Sequence, residues 1–240
     1  MTRRRFLLSS AVAAGAAVPA AAWAVTRGED RRERALPRRP LKVPADGQMR
    51  VAFAIGEGVN VIDTAGPWEV FQDAAVFGGP GAFELYTVSS STEPVVGSGG
   101  LQLQPHHAYD DAPQPQVVVI PAQRGGEDTV AWIRHATKRA DLVMSVCTGA
   151  FVLADTGLLD GKTATTHHGS WDMFESSYPK VKLVRGQRFV EHEHVATAGG
   201  LTSGIDLALR TVERYLGRDG AAATAEYMEY ESRSRAPYNA

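Results

Sequence analysis

The 240-residue chain has a single cysteine, Cys147. One cysteine excludes an intramolecular disulfide and every Cys-rich zinc pattern. Internal repeats are absent, which excludes solenoids and propellers. Strongly apolar runs long enough for a membrane span are also missing. The nearest approach, about Leu7 to Ala22, is short and mostly alanine. Basic residues are scarce where a nucleic-acid partner would need them. Residues 1–48 hold 10 of the 25 Lys/Arg and 4 of the 27 Asp/Glu, leaving 15 basic against 23 acidic residues in the remainder. A net charge of −8 there argues against binding phosphate backbones.

What is present divides the chain in three. Residues 1–24 read as an export signal: the twin arginine in Thr2-Arg3-Arg4-Arg5-Phe6-Leu7-Leu8, a short apolar middle, and the small-x-small exit Ala22-Trp23-Ala24. Paired arginines point to the twin-arginine route and an exported protein, with no membrane association after cleavage. Residues 25–48 are a linker by composition, crowded with arginines and with Pro37, Pro40 and Pro44. Residues 49–240 are the folded domain. At 44% hydrophobic and 22% charged overall, the chain can bury a substantial core.

Within the domain, strands and helices alternate. Strands are expected at 51–55, 83–89, 117–120, 142–146 and 163–166, the last beside the strand that leads to Cys147. A hairpin is expected from 183–190 and 195–198. Helices are expected from about Pro67 to Phe77, with Pro67 in the first turn, and at 129–140, 149–156, 170–177 and 202–216. A last helix follows Gly217, at about 219–230. This order predicts a flavodoxin-like α/β fold in a single domain: a doubly wound, mostly parallel sheet with helices on both faces. Sites in such folds lie at the carboxyl ends of strands. Three places qualify: Asp63, Arg124-Gly125-Gly126 and Cys147-Thr148.

Cys147 stands where an apolar strand runs into a helix, followed by Gly149 and Ala150. Amides at a helix start favour thiolate over thiol, so the expectation is a lowered pKa. The same amides, with Gly149 among them, suit an oxyanion. Asp63 has two readings, a proton donor beside the thiol or a cap of the next helix. His167 either moves a proton or makes a structural hydrogen bond. Glu191-His192-Glu193-His194 suggests a metal cluster but falls where a hairpin should turn, and reads as a solvated loop. No metal or cofactor is expected.

The stretches Ser145-Val146-Cys147-Thr148-Gly149-Ala150, Asp63-Thr64-Ala65-Gly66-Pro67-Trp68-Glu69-Val70-Phe71 and Thr197-Ala198-Gly199-Gly200-Leu201-Thr202-Ser203-Gly204-Ile205-Asp206 resemble the DJ-1/PfpI superfamily in order and spacing. The resemblance is nearest to isonitrile hydratases and to the amidotransferase-like domains of AraC-type regulators. It implies a cofactor-free cysteine nucleophile at Cys147 followed by Thr148, paired with the acid Asp63. It also implies a small-molecule substrate and a homodimer. Peptidase-type members carry His after the Cys, so Thr148 argues against peptidase activity. The strand end Ile120-Pro121-Ala122-Gln123-Arg124-Gly125-Gly126 departs from the family's Pro-Gly-Gly, which weakens oxyanion donation by Gly125 and Gly126. The reaction expected is isonitrile hydration, with 2-oxoaldehyde chemistry or a ligand or redox sensor as alternatives. Related regulators carry a helix-turn-helix after this domain, and the end at Ala240 leaves no room for one, so regulation of transcription is not expected.

Overall fold

The computed structural model describes residues 40–44, 47–78 and 82–231. The export signal and most of the linker lie outside the described residues. Leu41 is described, and its N–H donates to the Arg214 carbonyl at 2.8 Å.

The strands in chain order are β1 (Met49–Ala54), β2 (Phe83–Ser89), β3 (Val95–Val96), β4 (Gln102–Leu103), β5 (His107–Ala108), β6 (Val117–Ile120), β7 (Leu142–Val146), β8 (Thr163–Ala164), β9 (Lys182–Leu183), β10 (Phe189–Glu191) and β11 (Val195–Ala198). The helices are α1 (Val61–Gly78), α2 (Glu127–Ala136), α3 (Gly149–Asp155), α4 (Trp171–Ser177) and α5 (Ser203–Tyr227). Seven strands form one sheet in the order β10-β11-β7-β6-β1-β2-β5. Every neighbour is parallel except β10, which runs antiparallel to β11.

The continuous apolar runs are explained by burial on both faces. Val51, Phe53, Val117, Val119, Leu142, Met144 and Val146 point to the layer shared with α1 and α5. Ala52, Ala54, Val118, Ile120 and Val143 point to the opposite layer, with residues of α2, α3 and α4. A parallel sheet covered on both sides has no polar face to write into the sequence. This is the flavodoxin-like α/β arrangement that the alternation of elements predicts.

The chain leaves β1 toward β2 and later returns to β6 on the other side of β1. That reversal opens a crevice at the strands' carboxyl ends. The loops after β1, β6, β7 and β11 meet there.

Three expectations need correction. Strand 163–166 does not join the main sheet. It shrinks to β8, which pairs with β9 in a separate two-stranded sheet, and β11 takes the place beside β7. Helix α1 starts at Val61, six residues before Pro67, so Pro67 lies inside the helix. Ser98, from the β3–β4 hairpin, supplies the missing cap by accepting the Val61 N–H at 3.0 Å. A helix start capped from 37 residues away leaves no local signal. The break expected between the 202–216 and 219–230 helices is present: α5 leaves the helical path at Gly217, with φ of 79° and ψ of 175°. Finally, Glu191 is not solvated. It is buried and accepts from Arg210 at 3.0 Å and Arg214 at 2.9 Å. Among the described residues no cluster of His, Cys, Asp or Glu is arranged to hold a metal ion.

Candidate active site

Cys147 follows β7 directly and precedes α3, with φ of 59°. A non-glycine residue in this region is strained, and such strain persists only where surroundings over-determine it. Those surroundings are visible. The Cys147 N–H donates to the carbonyls of Ala198 at 3.2 Å and Gly199 at 2.8 Å, and its carbonyl accepts from the Thr166 hydroxyl at 2.9 Å. Gly149 lets α3 begin at once: a Cβ there would sit 2.1 Å from the Ile120 oxygen and 2.8 Å from that of Pro121. Gly149 therefore shapes the turn through close packing, whatever its amide does.

Asp63 is fully buried in the first turn of α1. It does not cap that helix. Its Oδ2 accepts the Ala122 N–H at 3.2 Å, across the crevice from the end of β6. The Cys147 thiol and the Leu201 amide also interact with the carboxyl, though Oδ1 makes no hydrogen bond of full geometry. Pro67 has no N–H to offer the Asp63 carbonyl, so the proline loosens α1 at the residue that carries the acid.

The pair is electrostatically coupled. Burial pushes the Asp63 carboxyl up to about 6, against the pull of the Ala122 N–H, the Cys147 thiol and the Leu201 N–H. Burial, then the Asp63 charge, pushes the Cys147 thiol up to about 11, although the Thr148 and Leu201 amides favour its anion. The expectation of a lowered thiol pKa is thus reversed. The helix-start amides act in the expected direction, but desolvation and the neighbouring carboxylate outweigh them. At neutral pH the resting pair is a thiol beside a carboxylate.

The other predicted residues fall as follows. Thr148 adjoins the sulfur through its backbone, and its side chain makes no cap bond to α3. His167 is half-buried, and its Nδ1 accepts the Gly169 N–H at 3.2 Å. Its ring fills the space a Gly200 side chain would need, since a Cβ there would lie 2.2 Å from the ring. His167 therefore abuts the loop that holds Cys147, while its hydrogen bond goes to Gly169. Gly125 and Gly126 are exposed and lead into α2. Two amides just before them are committed elsewhere, Ala122 to Asp63 and Arg124 to the Glu57 carbonyl at 3.0 Å.

Two contributors went unassigned in the sequence. The Leu201 amide favours the charged form of both members of the pair, and the Thr166 hydroxyl anchors the turn. Gly199-Gly200-Leu201 also follows the carboxyl end of a strand. The signal was present, but it has meaning only once β11 is known to lie beside β7.

The DJ-1/PfpI family profile matches residues 49–214, most of the domain. The chain belongs to the DJ-1/PfpI family. It is 32% identical over 189 residues to an isonitrile hydratase from Pseudomonas putida, covering 76% of this chain and 78% of the relative. It is 25% identical to the HTH-type transcriptional regulator GbdR of Pseudomonas aeruginosa, covering 75% of this chain and 50% of that protein. Among solved structures, a ThiJ/PfpI family protein from Pseudomonas syringae superposes with a TM-score of 0.69 at 22% identity, covering 88% of this chain and 84% of that one.

Proposed function

We propose that this DJ-1/PfpI protein is a cysteine-nucleophile enzyme that hydrates isonitriles to N-substituted formamides. The observation that carries the reading is the buried Asp63–Cys147 pair, with one proton between a carboxyl at about 6 and a thiol at about 11. The 32% identity to an isonitrile hydratase supports the choice of substrate.

An isonitrile offers a terminal carbon that accepts a nucleophile and then requires a proton. Asp63, ionised at neutral pH, takes the thiol proton as the sulfur bonds to that carbon. The carboxylic acid so formed returns the proton to the same carbon, leaving a thioimidate on Cys147. Water adds to the thioimidate carbon and moves a proton to nitrogen. Cleavage of the carbon–sulfur bond gives the formamide and the original thiol. Every proton is accounted for, and no cofactor takes part. General acid–base help of this kind is worth about 100- to 10,000-fold.

The similarity to GbdR supports a second reading, a ligand-binding sensor without turnover. One experiment separates the two. The purified domain is incubated with alkyl isonitriles and with 2-oxoaldehydes, and products are followed by NMR. Formamide production that disappears in Cys147→Ala is expected. Saturable binding with no product from either class would replace the enzyme with the sensor.

A further inference from the structure

On the face of the sheet away from α1 and α5 lies a group of buried hydroxyls that the proposed chemistry does not use. Side chains alternate along β7 and β11. Met144, Val146, Ala196 and Ala198 belong to the layer of α1 and α5, whereas Val143 and Val195 belong to the opposite layer. Ser145 and Thr197 therefore share that opposite face, where they are paired across the two strands. Every other residue of β7 is apolar. Thr165 stands one residue beyond β8, and its N–H donates to Thr197 Oγ1 at 2.8 Å. All three residues are buried, with exposures of 0% for Ser145, 0% for Thr165 and 1% for Thr197.

Ser145 Oγ and Thr165 Oγ1 make no hydrogen bond within the protein. A buried hydroxyl left unpaired forfeits its hydration for nothing, and native proteins pair nearly all such groups. Thr197 Oγ1 accepts the Thr165 N–H and keeps a proton of its own to donate. Neighbouring strands lie about 4.8 Å apart, too far for a direct bond between hydroxyls that stand side by side. Two hydrogen bonds of about 2.8 Å to one shared oxygen span roughly that distance. The three residues bring no carboxylate, so nothing among them would neutralise a buried cation. A small neutral molecule with two protons and two lone pairs fits. It can donate to Ser145 and Thr165 and accept from Thr197, and about three bonds is usual for a buried water.

We propose that Ser145, Thr165 and Thr197 form a closed site for one water molecule, and that this water is a positioning element for the Cys147 turn. The connection runs through the chain. Thr166, next to Thr165, donates its hydroxyl to the Cys147 carbonyl at 2.9 Å. Strand β8 ends at Ala164, so residues 165 and 166 lie outside its ladder. They are held against β7 and β11 through side chains: Thr197 on the Thr165 amide, and the water on all three hydroxyls. What pins Thr165 also pins Thr166, and Thr166 helps to hold Cys147 at φ of 59°. The water touches neither the sulfur nor the Asp63 carboxyl. It acts through the backbone.

The inference rests on Cys147 being the reacting thiol, not on the identity of the substrate. The site is tested first in the parent protein. A crystal structure at about 1.5 Å should show one water oxygen within about 2.6–3.2 Å of all three hydroxyls. Hydroxyls bonded to one another or to backbone, with no water between them, would overturn the site. The role is read at the sulfur. Thr165→Val keeps the shape and the backbone N–H, removes one hydroxyl and places a methyl where the water would bond. Burial is what most disfavours the thiolate, so a loosened turn admits solvent and reagent. Alkylation by iodoacetamide at pH 8, which proceeds through the thiolate, is expected to quicken about threefold. Ser145→Ala should quicken it less, because two partners remain. The double variant should match Thr165→Val alone, since both substitutions act on the same water. Rates that multiply would mean that the hydroxyls act separately, and would overturn the shared site. A parental or slower rate in folded Thr165→Val would confine the water to stability and overturn its positioning role. If Thr165→Val does not fold, Ser145→Ala carries the same test of rate. Isonitrile turnover is measured separately. Its absence in the parent protein would remove the proposed reaction and leave the water site standing.

Discussion

At the scale of single residues, the chemistry turns on where one proton sits. Asp63 and Cys147 were both legible as candidates, one after each of two strands, because strand ends are where this fold places its sites. Their protonation was not legible. It depends on how far each group is removed from water, which only packing decides. The consequence is testable by pH. If ionised Asp63 must accept the thiol proton, turnover should rise as pH passes through about 6. The limb belongs to the coupled pair, and it should vanish in Asp63→Asn along with most of the activity. The same substitution should raise stability. Asp63 binds its proton more tightly folded than unfolded, so the fold loses stability as pH rises from about 3.8 through about 6. Above that window the buried charge costs about 2–3 kcal/mol, which Asn does not incur. Urea unfolding at pH 7.5 should show the variant more stable, with the gap closing below pH 4. An active variant of unaltered stability would deny Asp63 its role.

At the scale of elements, the types and order of the main strands and helices could be read from hydrophobic patterning, while several partners and starts could not. Strand β8 has the residues of a strand, yet β11 holds the place beside β7. Helix α1 takes its cap from Ser98, and periodicity does not reveal so distant a neighbour. The turn after β7 is the opposite case. A glycine two residues after the cysteine is itself a mark of close backbone approach, and the backbone of Ile120 and Pro121 fills the space a Gly149 side chain would need. Gly149→Ala should force α3 away from β6. Overpacking against backbone costs about 1–3 kcal/mol, and here it also displaces the strained Cys147. The expected result is a lower urea midpoint together with a changed alkylation rate at Cys147. A variant with parental stability and parental thiol reactivity would show that the turn has slack.

At the scale of the whole molecule, the sheet separates chemistry from structural reinforcement, and β10 connects the two. Phe189 is paired with Ala198 at the end of the sheet where Cys147 follows Val146. Glu191 is paired with Ala196, toward the other end. There its carboxylate is buried between Arg210 and Arg214 of α5, with side-chain exposures of 0%, 7% and 2% for the three. Arg214 also donates to the Glu193 carbonyl at 2.9 Å, which fastens the loop between β10 and β11. Composition could not reveal this, because Glu191 stands in a run of Glu and His that looks solvated. Removing one member of a buried ion pair typically costs about 3–5 kcal/mol, since the partner charge stays buried without compensation. Glu191→Gln retains the shape and removes the charge, leaving Arg214 without its carboxylate while Arg210 keeps Glu213 at 2.7 Å. The variant should unfold at lower urea by about that amount. Salt should restore little of it, because buried charges are poorly screened. In the folded variant, Cys147 should alkylate at the parental rate, since the lost charge lies at the far end of β11 from the sulfur. A large change in thiol reactivity would instead mean that β10 transmits strain along its length, and that the two ends of the sheet are not independent.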